Sequence, residues 1–267
     1  MNISHSPFAK ECACAVDAAR SAGALIREYY SGSYIVKYKI HGHKSPVTIA
    51  DHEANRAIHE ILQGSFPQYG WLSEETVDSP ARLSCHRVWV VDPLDGTKEF
   101  IDKIPEFAVS IALAEAGTPV LGVAYNPIQD QLFWAVRTQG AWCGNSRLRV
   151  SETNRLADAV VLSSRSETKR GEWEKFTALF RTRPLGSAAY KLALIANGEA
   201  DATFTLVPKN EWDVCAGTLL LEEAGGIVST LTGQPLVFNQ AKTLLAGLVA
   251  SNTFLHPELL QLIEQYR

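Results

Sequence analysis

The chain has 267 residues, 46% hydrophobic and 20% charged, enough for one large domain or two ordinary ones and far from the composition of a disordered chain. Its 29 acidic residues outnumber 25 basic ones for a net charge of −4, so a dominant basic nucleic-acid surface is not expected. No apolar run approaches the roughly 18 residues of a membrane span, and Lys10, Glu11, Asp17 and Arg20 interrupt the stretch a signal peptide would need.

The segment Ala9 to Tyr30 carries Ala and Leu at helical spacing with Gly32 just beyond, which predicts a long first helix stopped by glycine. Tyr34 to Ile40 alternates like a strand, and His41-Gly42-His43-Lys44-Ser45-Pro46 reads as a loop with two solvent-exposed histidines. Ala50, Ala54, Ala57, Ile58, Ile61 and Leu62 make one stripe, predicting a helix over Thr48–Gln63. Apolar runs at Tyr69–Leu72 and Arg87–Val91 follow. Val109–Leu113, Val120–Tyr125 and Leu132–Val136, separated by Gly117-Thr118-Pro119 and Asn126-Pro127, predict an antiparallel meander whose core takes Phe133, Trp134 and Trp142. Beyond Asn145 strands near Val160, Ala202 and Ile227 interleave with helices over Glu167–Phe180, Ala188–Ala196, Glu211–Ala224 and His256–Tyr266. This divides the chain into an α+β domain at 1–145 and an α/β domain at 146–267. The five cysteines, Cys12, Cys14, Cys85, Cys143 and Cys215, lack the paired spacings of a zinc site or disulfide framework, so buried reduced thiols in a cytoplasmic protein are expected.

Four acidic features stand out. Asp51 follows Thr48 by three residues and Asp213 follows Asn210 by three, so helix capping and the helix dipole alone would account for either. Glu74 and Glu75 close an apolar run and would suit a solvated loop. Asp92-Pro93-Leu94-Asp95-Gly96-Thr97 is more demanding, because the buried strand Val88–Val91 empties directly into two aspartates. Two carboxylates so close repel unless something positive lies between them, and a hard divalent cation is the usual answer.

Four ordered pieces, Pro46-Val47-Thr48-Ile49-Ala50-Asp51, Ser73-Glu74-Glu75, Trp89 to Thr97, and Glu211-Trp212-Asp213-Val214-Cys215-Ala216-Gly217 leading to Glu223-Ala224-Gly225-Gly226, resemble the lithium-sensitive, magnesium-dependent phosphomonoesterases of the inositol monophosphatase type over nearly the whole chain. The resemblance implies a layered αβαβα sandwich. It also implies two or three Mg²⁺ held by Glu74, Asp92, Asp95, Asp213 and the Leu94 carbonyl, with Asp51 and Thr97 as the catalytic pair orienting the attacking water. Lithium inhibition and a homodimer are family expectations, and the partner is a small phosphate ester with no nucleic-acid polymer and no membrane. The chemistry suits the residues: cations neutralise an anionic ester and activate water, and they reverse the sign of an acidic site. The spacing Asp-x-x-Asp departs from the Asp-x-Asp-x-Thr pattern of phosphatases with a covalent aspartate nucleophile, which favours direct attack by water.

Asp95-Gly96-Thr97-Lys98-Glu99-Phe100-Ile101 and Ser164-Arg165-Ser166 resemble the 3′(2′),5′-bisphosphate nucleotidases of the CysQ type, whereas Gly186-Ser187-Ala188-Ala189-Tyr190-Lys191 reads like the inositol branch. The expected reaction is removal of the 3′-phosphate from 3′-phosphoadenosine 5′-phosphate. The alternatives are an inositol or sugar monophosphatase and a non-catalytic homologue, the last needing a lost ligand that this sequence retains. Gly96, Thr97, Lys98, Arg165, Gly186, Ser187 and Lys191 are the expected substrate contacts, with Gly186 and Ser187 equally explained as a helix N-cap.

Overall fold

Alanine at helical spacing gives α1 (Ala9–Ser31), whose buried stripe includes Cys12, Ala15, Ala19, Ala22 and Ile26 and whose end is closed by the Gly32 N–H donating to the Tyr29 carbonyl. The computed structural model describes residues 6–32, 35–39 and 45–266; His41 and His43 lie outside the described residues. Strand β1 (Val36–Lys39) pairs antiparallel with β2 (Ser45–Thr48), so Ser45 and Pro46 belong to a ladder where a loop was expected. β2 leads straight into α2 (Ile49–Ser65), because Thr48 caps this helix and accepts the Ala50 N–H.

Next come β3 (Gly70–Ser73), β4 (Arg87–Asp95), α3 (Thr97–Ile101), β5 (Ala108–Glu115), β6 (Thr118–Asn126), β7 (Gln131–Val136), β8 (Gly140–Cys143) and β9 (Ser146–Arg147). The seven strands lie side by side in chain order, β3 parallel to β4 and all others antiparallel. Alternation sorts their side chains. Trp89, Val91, Val109, Ile111 and Leu113 face α1 and α2, while Val88, Val90, Ala108, Ala112 and Ala114 face the opposite layer. The strand expected to end at Val91 continues as β4 to Asp95, with the register slipping between the pairs Asp92↔Ser110 and Asp95↔Ala108. That irregularity bends the strand end and re-aims the two aspartates.

The remaining elements are β10 (Val160–Ser164), α4 (Arg165–Lys169), β11 (Arg181–Leu185), α5 (Ala188–Ala196), β12 (Ala202–Thr205), β13 (Lys209–Asn210), α6 (Glu211–Glu223), β14 (Ile227–Ser229), β15 (Leu244–Leu245), β16 (Leu248–Ser251) and α7 (His256–Tyr266). Five form a second sheet in the order β11-β10-β12-β16-β14, and β13 pairs with β15. The helix expected over Glu167–Phe180 is not continuous. It stops at Lys169, Gly171 turns the chain at a φ of 78°, and only a single 3₁₀ turn, Glu174–Phe176, follows. The aromatic residues of this segment, Trp173, Phe176 and Phe180, pack around Phe204 of β12.

The layers run αβαβα as expected. α1 and α2 cover one face of the seven-stranded sheet, α5 and α6 lie between the two sheets, and α7 covers the far face of the second. All five cysteines are free; Cys12 and Cys215 are buried as expected, whereas Cys14, Cys85 and Cys143 are half-buried.

Candidate active site

Chemistry-bearing residues gather where the end of β4, the start of α3, the start of α6 and α5 meet around a cavity of about 260 Å³. Glu74 leaves β3 and donates its N–H to the Val91 carbonyl, which holds it beside β4. Glu74, Asp92 and Asp213 each bring one carboxylate oxygen into a group whose members lie within 4.8 Å of one another. Asp92 is buried, with Oδ1 accepting the Leu94 N–H at 3.0 Å. Asp213, in the first turn of α6, accepts the Asn210 N–H at 2.9 Å. Burial first, and the neighbouring carboxylates second, push the pKa values of both Asp92 and Asp213 well above the ordinary carboxylate range.

Asp95, the fourth expected carboxylate, is aimed differently. Its Oδ2 accepts the Ser187 hydroxyl and the Ala189 N–H, each at 2.7 Å. Ser187 caps α5 from a left-handed φ of 50° and also accepts the Tyr190 N–H at 3.0 Å. Such a conformation costs about 1–3 kcal/mol, comparable to the roughly 1.5–3 kcal/mol of a hydrogen bond to a charged group, so the link to Asp95 offsets the strain. Burial raises the Asp95 pKa, and these two donors together with Lys209 and Lys191 oppose the rise.

Asp51 does two things at once. Oδ2 accepts the backbone N–H and the hydroxyl of Thr48, both at 2.7 Å, closing the cap of α2. Oδ1 accepts the Thr97 hydroxyl at 2.9 Å, with the Leu94 carbonyl 3.2 Å from the same hydroxyl. Capping and the Thr97 contact therefore coexist on different oxygens. Gly96 makes the approach possible: at φ 104° it turns β4 into α3, and a Cβ there would lie 2.9 Å from that of Phe107.

On the other side, the backbone and side-chain groups expected to meet substrate at the start of α5 are engaged by protein carboxylates, Ser187 and Ala189 by Asp95 and the Gly186 N–H by Glu106 at 3.2 Å. Arg165, the first residue of α4, is ion-paired through Nη2 with Glu106, and its Nε lies 3.9 Å from Glu99. Lys98 lines the rim, exposed. Lys191 is 7% exposed and borders the cavity; burial and then the charge of Lys209 pull its pKa down to about 8.

Sequence reasoning did not single out Glu99, Glu106 or Lys209. Glu99 and Glu106 carried no local signal, since their partner Arg165 is distant in the chain. Lys209 did: it sits just before the N-cap Asn210 of α6, where the helix dipole disfavours a cation, and so its presence asks for another partner. The donor set fits magnesium, being entirely oxygen and crowded, with carboxylates whose mutual repulsion a hard cation would remove.

A family model described as the Inositol monophosphatase family matches residues 9–267. An inositol-1-monophosphatase of Mesorhizobium japonicum is 36% identical over 259 residues, 94% of each chain. The solved structure of the extragenic suppressor protein suhB from Bartonella henselae is similar with a TM-score of 0.85 and 32% identity, covering 96% of this chain and 99% of that one. CysQ from Bacteroides thetaiotaomicron has a TM-score of 0.76 and 30% identity, with 92% and 98% covered. With the acidic cluster in place and these likenesses spanning the chain, it belongs to the inositol monophosphatase family of magnesium-dependent phosphomonoesterases.

Proposed function

We propose that the chain removes the 3′-phosphate of 3′-phosphoadenosine 5′-phosphate, giving AMP and phosphate. The observation that carries this reading is the charge make-up of the cavity: Glu74, Asp92, Asp95 and Asp213 line it together with the buried Lys191, and no described residue lies in hydrogen-bond or ion-pair reach of that ammonium. A substrate with one phosphate for the carboxylate cluster and a second for the lysine complements both.

In this reading Glu74, Asp92, Asp95, Asp213 and the Leu94 carbonyl would hold two or three magnesium ions. When bound, those ions would supply charge to neutralise the ester phosphate and to lower the pKa of water. The residues themselves do the positioning. Asp51 takes the hydroxyl proton of Thr97 in a hydrogen bond, which leaves the Thr97 oxygen free to accept from the attacking water and turn its lone pair toward phosphorus. The Thr48 donors fix Asp51, so this orientation exists before substrate arrives. Lys98 and Lys191 are the proposed cationic contacts, while Arg165, tied to Glu106, holds α4 against the site with Gly186. Gly96 and Ser187 act through the backbone turn and Asp95. Lithium inhibition, a homodimer and a cytoplasmic setting, the last supported by five free cysteines, belong to the same proposal.

A second reading, hydrolysis of inositol 1-phosphate at the same site, is favoured by the name of the Mesorhizobium japonicum relative. The test is phosphate release from nucleotide bisphosphates and inositol phosphates, with magnesium and after chelation. The expected result is chelator-sensitive release, fastest from 3′-phosphoadenosine 5′-phosphate. Full activity in excess chelator overturns the magnesium mechanism.

A further inference from the structure

We infer that Lys209 and Lys191 together form a subsite for a second phosphate of the substrate, and that Lys209 is a specificity-determining residue. This deepens the reading above and rests on it for the first phosphate. The two lysines come from different elements, β13 and α5, and border the same cavity as Asp95 and Asp213. Their charges are close enough for Lys209 to act on Lys191, Asp95 and Asp213.

Four of the surrounding carboxylates are engaged elsewhere, and a fifth, Glu99, lies 3.9 Å from Arg165 Nε. Asp95 holds Ser187 and Ala189, Glu106 holds Arg165 and Gly186, and Asp213 holds the Asn210 N–H. Glu167, whose charge also reaches Lys191, accepts from Trp173 at 3.0 Å and Thr205 at 2.7 Å. Among the described residues, neither ammonium has a hydrogen-bond or ion-pair partner. Two cations left beside a polar cavity, one of them buried, are costly unless an anion completes them. The backbone fixes Lys209 there: β13 is paired with β15, Lys209 opposite Leu245, and the next residue caps α6. A phosphate bound at this point anchors the substrate beside the carboxylate cluster through a group other than the reacting one, and turns that binding energy into positioning of the ester.

The test compares kcat/KM for 3′-phosphoadenosine 5′-phosphate against 3′-AMP, and for inositol 1,4-bisphosphate against inositol 1-phosphate, at saturating magnesium in wild type, Lys209→Gln and Lys209→Arg. The bisphosphate-to-monophosphate ratio is expected to fall about tenfold in Lys209→Gln and to recover in Lys209→Arg. Melting curves establish that both variants fold. A ratio unaltered in Lys209→Gln, with all substrates losing equally or none losing, overturns the subsite. A preference in wild type for 3′-phosphoadenosine 5′-phosphate that persists in Lys209→Gln overturns the subsite and leaves the nucleotide reading standing. A Lys209-dependent preference confined to the inositol pair supports the subsite and overturns the nucleotide reading. If neither pair shows a preference in wild type, both fall.

Discussion

Asp51 carries the residue-scale logic of the site, because one of its oxygens closes a helix cap and the other holds Thr97. Thr97→Ala should therefore lower kcat by about 10²-fold with a much smaller change in magnesium affinity, and Thr97→Ser should restore most of the rate. Equal losses in rate and in magnesium affinity, measured by titration calorimetry, would move Thr97 from water orientation to metal holding. Ser187→Ala makes the complementary prediction. It removes a hydroxyl donor to Asp95, so magnesium should bind about tenfold more weakly, in line with a lost hydrogen bond to a charged group; unchanged affinity would show that the Ala189 N–H alone suffices. The places of Asp51, Asp92 and Asp213 at two helix caps and a strand end were legible in the sequence because those patterns are local, whereas their proposed shared role came from the family resemblance. The engagement of Gly186 by Glu106 was not, since it joins residues 80 positions apart.

At the scale of elements, helices with an uninterrupted stripe were readable almost to the residue, α5 and α7 among them, while the Glu167–Phe180 segment misled because its aromatic residues serve a cluster around Phe204 rather than a helix face. α7 yields a pH prediction. His256 at its start is buried, with Nε2 2.9 Å from the Ser229 hydroxyl and Nδ1 3.0 Å from that of Ser251. The ring thereby ties the helix to β14 and β16. Burial holds its pKa below the usual histidine value. Below about pH 6.5 the unfolded chain binds a proton that the folded chain refuses until its own lower pKa is reached. Stability from this group is present above that range and is lost as pH falls through it, at no more than about 1.4 kcal/mol per pH unit. Thermal melts from pH 7 to pH 5 should show a shallower decline for His256→Asn than for wild type, and identical slopes would remove His256 as the sensor.

Over the whole molecule, the layering was legible only through family resemblance, because periodicity reveals which face of a strand or helix is apolar but not which layer it meets. That layering brings Glu74 and Asp92 from the first half of the chain to Asp213 at the start of α6, so the folded state alone assembles the proposed cation site. Magnesium should raise the melting temperature, by about 2.7 kcal/mol of stabilisation at 100 times the dissociation constant. Asp92→Asn, which relieves repulsion in the metal-free protein but removes a hard ligand, should shrink that rise, and a full magnesium-induced shift in this variant would place the cation elsewhere. The most direct measurement is the ratio of kcat/KM for 3′-phosphoadenosine 5′-phosphate to that for inositol 1-phosphate, determined with saturating magnesium. A second phosphate completing Lys191 and Lys209 predicts a ratio of at least about ten, roughly 1.4 kcal/mol of transition-state discrimination; a ratio of one or below would contradict it.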